Sequence, residues 1–312
     1  MSGFNWKITV GSLVALAVLA AMPLALSRYY LYFLGTILVM GLLATSLNLV
    51  LGYGGMYQFH HAVFYGVGAY GFALATTRAE WPFWASFLVA PFVSAALGFV
   101  MGLITVRLNK LYFGMLQISL GSLVWAVVYR WYSFTGGDDG IHSVPLPDWI
   151  TTPKATYYFV LFAVAICLFA MYRIVNSPFG KIFQAVRDNP TRSEAIGINV
   201  QRHQLAGLVI AAFFAGIAGA LFVVIEDTVV PDLLFWNLSM EILIMCLLGG
   251  WFSFTGPMVG AALMLGMRTV AGWYTEYWTL ILGVVLMAII FFLPNGIMGF
   301  FDRRPGAKTG SA

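Results

Sequence analysis

Tyr29-Tyr-Leu-Tyr-Phe-Leu-Gly-Thr-Ile-Leu-Val-Met-Gly-Leu-Leu-Ala-Thr-Ser-Leu-Asn-Leu-Val-Leu51 runs without one charged side chain, then turns into Gly52-Tyr-Gly-Gly-Met-Tyr-Gln-Phe-His-His61. The first part is long enough to cross a hydrocarbon core of roughly 30 Å, which takes about 20 apolar residues in a helix. The second part interrupts it. Glycine weakens a helix by about 1 kcal/mol per residue against alanine, and membrane helices tolerate that where backbones pack closely or the helix bends. Gln58, His60 and His61 ride on this interruption with Gly54 and Gly55, and polar groups at membrane depth are expensive when they face lipid.

The rest of the chain repeats the apolar theme. Hydrophobic residues make up 61% of 312 positions and charged residues 9%, with a mean hydropathy of +0.88. A soluble domain carries about 25% charge, so a water-covered globule is excluded and lipid is the solvent. Apolar runs fall at 9–26, 29–51, 59–77, 83–106, 111–134, 155–175, 205–225, 238–248, 256–270 and 278–293. The fold class is an all-α polytopic membrane protein of about 8–10 transmembrane helices, some short or broken. The whole chain, 1–312, reads as a single transmembrane domain. Runs 238–248 and 256–270 flank Gly249, Gly250, Gly256 and Pro257, the composition of broken or re-entrant helices in transporters. Residues 248–262 also echo the order of the first glycine-rich stretch, as an internal repeat or as a coincidence of glycine-rich membrane sequence. The run at 10–26 leads into a second span and reads as a first span or signal anchor, not a cleavable leader.

Basic residues orient the spans. Arg173, Lys181, Arg187, Arg192 and Arg202 lie in or beside the connection 176–203, Arg107 and Lys110 in a short loop, and Arg303, Arg304 and Lys308 in the tail 302–312. The opposite connections carry Asp138, Asp139 and Asp148, or Glu226, Asp227 and Asp232. Positive-inside counting places the basic loops and both termini in the cytoplasm and the loop 135–154 in the periplasm. Cys167 and Cys246 lie in apolar runs without a C-x-x-C or Cys/His cluster, so no disulfide framework, metal site or cofactor is expected. The small net charge of +4 is no sign of nucleic acid.

The connection 176–203 has an order of its own. Ser177-Pro178 suits the start of a helix, Phe179, Ile182, Phe183 and Val186 recur at helical spacing, Asn189-Pro190 breaks the helix, and Gly197 ends a second one. Such an element either docks in a groove of a partner or lies on the anionic inner leaflet.

At these residues the chain resembles the permease subunits of the branched-chain (hydrophobic) amino acid family of ABC transporters, in particular the M-type permease. The similarity runs in motif order through 51–70, Arg107-Leu-Asn-Lys-Leu-Tyr-Phe113, Thr135-Gly-Gly-Asp-Asp-Gly-Ile141, 177–200, Ala215-Gly-Ile-Ala-Gly-Ala-Leu221, 248–262 and Phe292-Leu-Pro-Asn-Gly-Ile-Met-Gly299. The resemblance implies a multi-pass subunit of the bacterial inner membrane. It would pair with a homologous second permease and two cytoplasmic ATP-binding subunits, and be fed by a periplasmic substrate-binding protein. It implies that the connection 176–203 is a coupling loop, with Ser177, Pro178, Phe179, Gly180, Arg187, Glu194, Ala195 and Gly197 at the ATPase contact. No Walker A pattern occurs in the chain, so hydrolysis would reside in a partner and no catalytic residue is expected. Tyr57-Gln-Phe-His-His61 departs from the Ser-Leu-Gly-His-like step common in the family, which leaves leucine-type amino acids, urea, short amides and aromatic acids open as substrates.

Gln58, His60, His61, Gly54 and Gly55 are candidates for the translocation pathway; the competing reading is a tight helix crossing. Asp138 and Asp139 are candidates for docking a binding protein, against an ordinary exposed Gly-Asp-Asp-Gly turn. The alternative function is an ion-coupled secondary transporter, which needs buried acidic relays; only Glu241 among the acidic residues sits within a span. A membrane-embedded enzyme ranks last, since the His60-His61 pair has no nucleophile or metal partner at plausible spacing.

Overall fold

The structure is a computed structural model and describes residues 16–24, 26–108, 110–274, 277–292 and 296–301. The tail 302–312, with Arg303, Arg304 and Lys308, and the start of the first apolar run lie outside the described residues. Helix α1 (16–24) precedes α2 (Arg28–Asn48), which widens into a π-helical turn, Leu49–Tyr53. There follow α3 (Ala62–Thr77), α4 (Phe83–Thr105), α5 (Lys110–Arg130), the single turn α6 (Tyr132–Thr135) and α7 (Pro153–Asn176). Next come α8 (Pro178–Asp188), α9 (Pro190–Ala195), α10 (Val200–Glu226), α11 (Trp236–Gly249), α12 (Gly256–Tyr274), α13 (Trp278–Phe292) and α14 (Gly296–Phe301). Two short strands, β1 (Ile141–His142) and β2 (Thr228–Val229), pair antiparallel between loops.

Among the described residues five segments are long and apolar enough to cross a membrane: Arg28–Tyr53, Phe83–Thr105, Leu111–Arg130, Pro153–Asn176 and Val200–Glu226. Ala62–Thr77 and Trp236–Gly249 are shorter apolar helices. The chain is an all-α polytopic membrane protein.

Helix α10 is central, packed on α2, α3 and α4. Lipid tails give apolar helices no reason to associate with one another, so close backbone approach has to supply the attraction. The sequence provides it in Ala211, Ala212, Ala215, Gly216, Ala218, Gly219 and Ala220. A methyl on Gly216 would meet the Ser94 side chain at 2.7 Å, and one on Gly68 would run into the Gly216 backbone. Ser94 Oγ donates to the Phe64 carbonyl at 2.5 Å and ties α4 to α3.

The expected span 59–77 is shorter than the sequence suggested. Residues 55–60 are extended or irregular and the helix begins at Ala62. The interruption is confined to the stretch before it: Gly66 and Gly68 sit inside an unbroken helix, where they admit Leu234 and Gly216. The two glycine-rich stretches meet. Asn48 Nδ2 donates to the Ser253 carbonyl at 3.1 Å, and Gly52 lies against the Trp251 carbonyl. Helix α5 lies at the margin, with Leu111, Tyr112, Met115, Leu123 and Val127 exposed.

Candidate functional site

The loop after α7 folds through caps written in its sequence. Ser177 accepts from the Gly180 N–H at 3.3 Å with Pro178 in the first turn of α8. Asn189 accepts from Arg192 N at 2.9 Å to start α9, and Asn199 from Arg202 N at 3.0 Å to start α10. Helix α9 ends on Gly197 at φ +87°, with Gly197 N donating to Glu194 O at 2.9 Å and Ile198 N to Ser193 O at 3.0 Å. That is the paired-bond termination in which a left-handed residue satisfies the last carbonyls.

One face of α8 packs inward. Gly180, Phe183 and Val186 are buried, and Phe179 stacks between Phe183 (5.7 Å) and His203 (5.9 Å). The Phe183 ring occupies space left by the missing side chains of Gly54 and Gly207. Arg187 also turns inward: its Nη1 donates to the Gly52 carbonyl at 2.6 Å, its stem covers Gly55, and its guanidinium lies 5.7 Å from the Phe252 ring centre. Lys181, Ala185, Asp188, Arg192, Glu194, Ala195, Ile196 and Gly197 form the exposed side, and Ile196 is 73% exposed.

Above α8 the segment 54–61 climbs back into the bundle. Gly54 N bonds Leu49 O and Met56 N bonds Val50 O, both at 3.1 Å, and Gly55 takes φ +64°. The segment then alternates like a strand, with Met56, Gln58 and His60 buried and Tyr57 exposed. His61 Nε2 lies 2.8 Å from Ser46 Oγ on α2. Two glycines on α5 receive the rest: Gly114 faces the Phe59 ring and Gly121 the His60 ring. Between them Gln117 donates to Thr105 Oγ1 at 3.0 Å. Both amide atoms of Gln58, both ring nitrogens of His60 and Nδ1 of His61 are buried without a hydrogen-bond partner among the described residues. Each such group costs about 1–3 kcal/mol, so this segment is not built for stability alone.

At the opposite end of the bundle Asp138 and Asp139 are exposed on a turn whose Gly136, Gly137 and Gly140 all have positive φ. A hydrogen bond to Asp138, ahead of burial, raises the Tyr132 phenol above its ordinary range. Nearby, a cavity of about 1030 Å³ lies between the starts of α2 and α7 and the end of α10, bordered by Arg28, Tyr32, His142, Tyr157 and Asp227. Burial, and secondarily Glu226, raises the Asp227 carboxyl, and Tyr32 donates to the Glu226 carboxylate.

The structure thus brings Gln58, His60, His61, Gly54 and Gly55 together and joins them through Gly52, Gly54 and Gly55 to Phe183 and Arg187 of α8. Asp138 and Asp139 stand apart from them, at the other end of the bundle. Ser46, Gln117 and Gly121 carry no local motif and were not legible. Their roles arise from contacts between segments far apart in sequence. Arg268 is legible as a basic residue within the apolar run 256–270.

A bundle of apolar helices around an irregular, polar-lined interior segment defines a polytopic membrane permease. A family model described as "Branched-chain amino acid transport system / permease component" matches residues 29–290, and the chain belongs to that family. LivM, a high-affinity branched-chain amino acid transport system permease protein of Escherichia coli (strain K12), is 27% identical over 96% of this chain and 77% of its own length. LivH, the permease protein of the same name class in Salmonella typhimurium, is 24% identical over 88% of this chain and 98% of its own. The guanosine ABC transporter permease protein NupQ of Bacillus subtilis is 27% identical over 21% of each chain. No solved structure matches the chain at a significant level.

Proposed function

We propose that this chain is one permease subunit of an ABC importer in a bacterial inner membrane, moving branched-chain or other hydrophobic amino acids or related small polar solutes. A homologous permease completes the membrane unit, two cytoplasmic ATP-binding subunits drive it, and a periplasmic binding protein loads it. The observation that carries this reading is the α8–α9 pair. It presents an exposed face from Lys181 to Gly197 on one side and fixes the interior segment through Phe183 and Arg187 on the other. A surface that grips a partner and a core that grips the irregular segment are what transmission of an external power stroke requires.

The relatives supply the substrate class, since LivM and LivH are permease proteins of branched-chain amino acid transport systems. Irregular backbone at membrane depth is tolerated only inside protein or beside water. On this reading the exposed Tyr57 faces the second permease and the solute route between the two.

The test is reconstitution of the co-expressed subunits into proteoliposomes with labelled leucine. ATP-driven uptake that needs the binding protein supports the reading. Uptake driven by a proton or sodium gradient, with no ATPase retained on purification, overturns it.

A further inference from the structure

The cavity of about 1030 Å³ takes its walls from the start of α2, the start of α7, the end of α10 and the loop residues around 142–151 and 227–228. None of its lining comes from α3, α4, α5 or the segment 54–61, which are the elements that surround Gln58 and His60. It is a separate space from the one assigned to the solute.

Its walls are graded by depth. At the rim Arg28, His142, Ser143 and Asp227 are exposed. Seven residues further into α2 and α7, about 10 Å at 1.5 Å per residue, the lining is Gly35 and Val160, and with Leu31 and Val224 it is apolar and buried. Tyr29 and Tyr30 in the first turn of α2 and Trp149 just before α7 are exposed, and such aromatics settle at the level of lipid headgroups. Below them α7 turns Phe162, Ile166 and Phe169 outward, an apolar stripe suited to acyl chains. The cavity therefore runs from headgroup depth to hydrocarbon depth beside a helix that carries a lipid-compatible face.

Most polar groups around the rim already have partners. Tyr32 donates to Glu226, Tyr157 to Leu19 O at 3.0 Å and Thr156 to Ile150 O at 2.5 Å, while His142 Nδ1 lies 3.4 Å from Thr228 Oγ1. Two opposite charges do not: among the described residues no hydrogen bond or ion pair engages the Arg28 guanidinium or the Asp227 carboxylate. The backbone fixes where that carboxylate sits. Asp227 takes φ +54°, an uncommon conformation for a residue with a side chain, and its carbonyl accepts from Val144 N at 3.0 Å.

We infer that this cavity is a binding site for one phospholipid with a primary ammonium in its head, the chemistry of phosphatidylethanolamine. Arg28 takes the phosphate, Asp227 takes the ammonium group, and an acyl chain runs down between α2 and α7 over Gly35. A rim with one open charge of each sign selects a head that carries both, and the apolar depth selects a tail. The volume stands at the top of the roughly 300–1,000 Å³ typical of pockets for drug-sized ligands, more than a single hydrophobic amino acid fills. The inference needs only the membrane setting of the chain and goes beyond the importer reading.

Lipid binding to the chain, purified in detergent with its co-purifying subunits and stripped of phospholipid, tests it by native mass spectrometry. Phosphatidylethanolamine, phosphatidylcholine and phosphatidylglycerol with the same acyl chains are titrated separately. Phosphatidylethanolamine is expected to fill one site per copy of this chain about tenfold more tightly than phosphatidylglycerol, the scale of one charge-assisted contact. Phosphatidylcholine, whose quaternary nitrogen has no proton to donate, is expected to fall below phosphatidylethanolamine. D227N, which keeps a residue tolerant of positive φ, is expected to bring phosphatidylethanolamine down to the level of phosphatidylglycerol. R28Q is expected to weaken all three, since each carries the phosphate. Both side chains are exposed, so both variants are expected to melt with the parent in lipid-free detergent.

Glycerophosphoethanolamine, the head without its tails, and millimolar L-leucine are expected to leave the bound lipid in place. Equal or tighter retention of phosphatidylglycerol by the parent, or phosphatidylethanolamine binding unchanged in D227N and R28Q, overturns the inference. Displacement of the lipid by the free head or by leucine also overturns it, and the leucine result would make the cavity a vestibule for solute.

Discussion

Arg187 on α8 donates from Nη1 to the backbone carbonyl of Gly52 at 2.6 Å, across 135 residues of sequence. The same guanidinium pairs with Asp188 at 2.8 Å, but that carboxylate is 66% exposed, and exposed pairs contribute about 0–1 kcal/mol. The bond to Gly52 is partly buried, and hydrogen bonds to charged donors are worth about 1.5–3 kcal/mol. The inward bond dominates. It holds the start of the irregular segment to the helix that the importer reading gives to the ATPase.

R187A is therefore expected to keep membrane insertion and assembly while ATP-driven uptake falls about tenfold or more, the factor that roughly 1.5 kcal/mol corresponds to. R187K retains charge but loses the planar fork and falls between the two. D188N is the control and is expected to behave as the parent. Uptake per ATP hydrolysed is the measurement, since a docking defect lowers both rates together whereas a broken link lowers uptake alone.

The exposed end of the loop makes the complementary prediction. Glu194 and Ile196 point outward, and Gly197 holds φ +87°, a conformation that costs a side-chain-bearing residue about 1–2 kcal/mol. Glu194→Arg should reduce recovery of the ATP-binding subunits on affinity purification without loss of the permease from the membrane. Gly197→Val should do the same by unwinding the turn after α9. Normal assembly and uptake in both variants would falsify the docking role.

Elements set by local chemistry were readable from the sequence. Ser177-Pro178, Asn189-Pro190 and Gly197 each act within a few residues of themselves, and the structure has a start, a break and an end at those positions. The irregular stretch around Gly54 and Gly55 was readable because glycine acts on its own backbone. The beginning of α3 was not: the apolar run reads as starting at 59, whereas contacts of Phe59 and His60 with Gly114 and Gly121 on α5 and of His61 with Ser46 on α2 hold these residues outside the helix. Arg187 was assigned outward with the rest of its loop, since no local rule distinguishes a solvent-facing arginine from one that reaches a carbonyl 135 residues away.

The acidic turn at the other end of the bundle is open to solvent at Asp138 and Asp139, while its backbone is fixed by Thr135, whose Oγ donates to Val128 O at 2.6 Å. Asp138 adds only an exposed hydrogen bond to the Tyr132 phenol, so D138K with D139K should still fold. If a binding protein docks there through basic residues, the double variant should need several-fold more loaded binding protein for half-maximal uptake. The effect should shrink as salt shortens the Debye length from about 10 Å at 0.1 M toward 3 Å at 1 M. Uptake kinetics equal to the parent at every salt concentration would leave the turn as a simple connection.

The His60 ring lies over Gly121 so closely that a methyl there would meet Cγ at 2.5 Å and Nδ1 at 2.6 Å. His61 is tied to Ser46 at 2.8 Å, while the Gln58 amide has no partner among the described residues. These three side chains therefore divide. Ser46→Ala strands a buried imidazole at about 1–3 kcal/mol and should lower the yield of folded protein, with His61→Gln milder. Gly121→Ala displaces the His60 ring without removing any polar group. If that ring borders the solute route, Gly121→Ala and His60→Gln should both change uptake rate or solute preference while yield and assembly stay at the parent level. Gln58→Leu replaces an unpaired amide with a group of similar volume, so a purely packing role predicts equal or greater thermal stability and unchanged uptake. A role in solute passage predicts greater stability with uptake reduced severalfold. Thermal melting in detergent and uptake in proteoliposomes, measured on the same preparations, decide between them, and unchanged uptake in all three of Gly121→Ala, His60→Gln and Gln58→Leu would return the segment to packing.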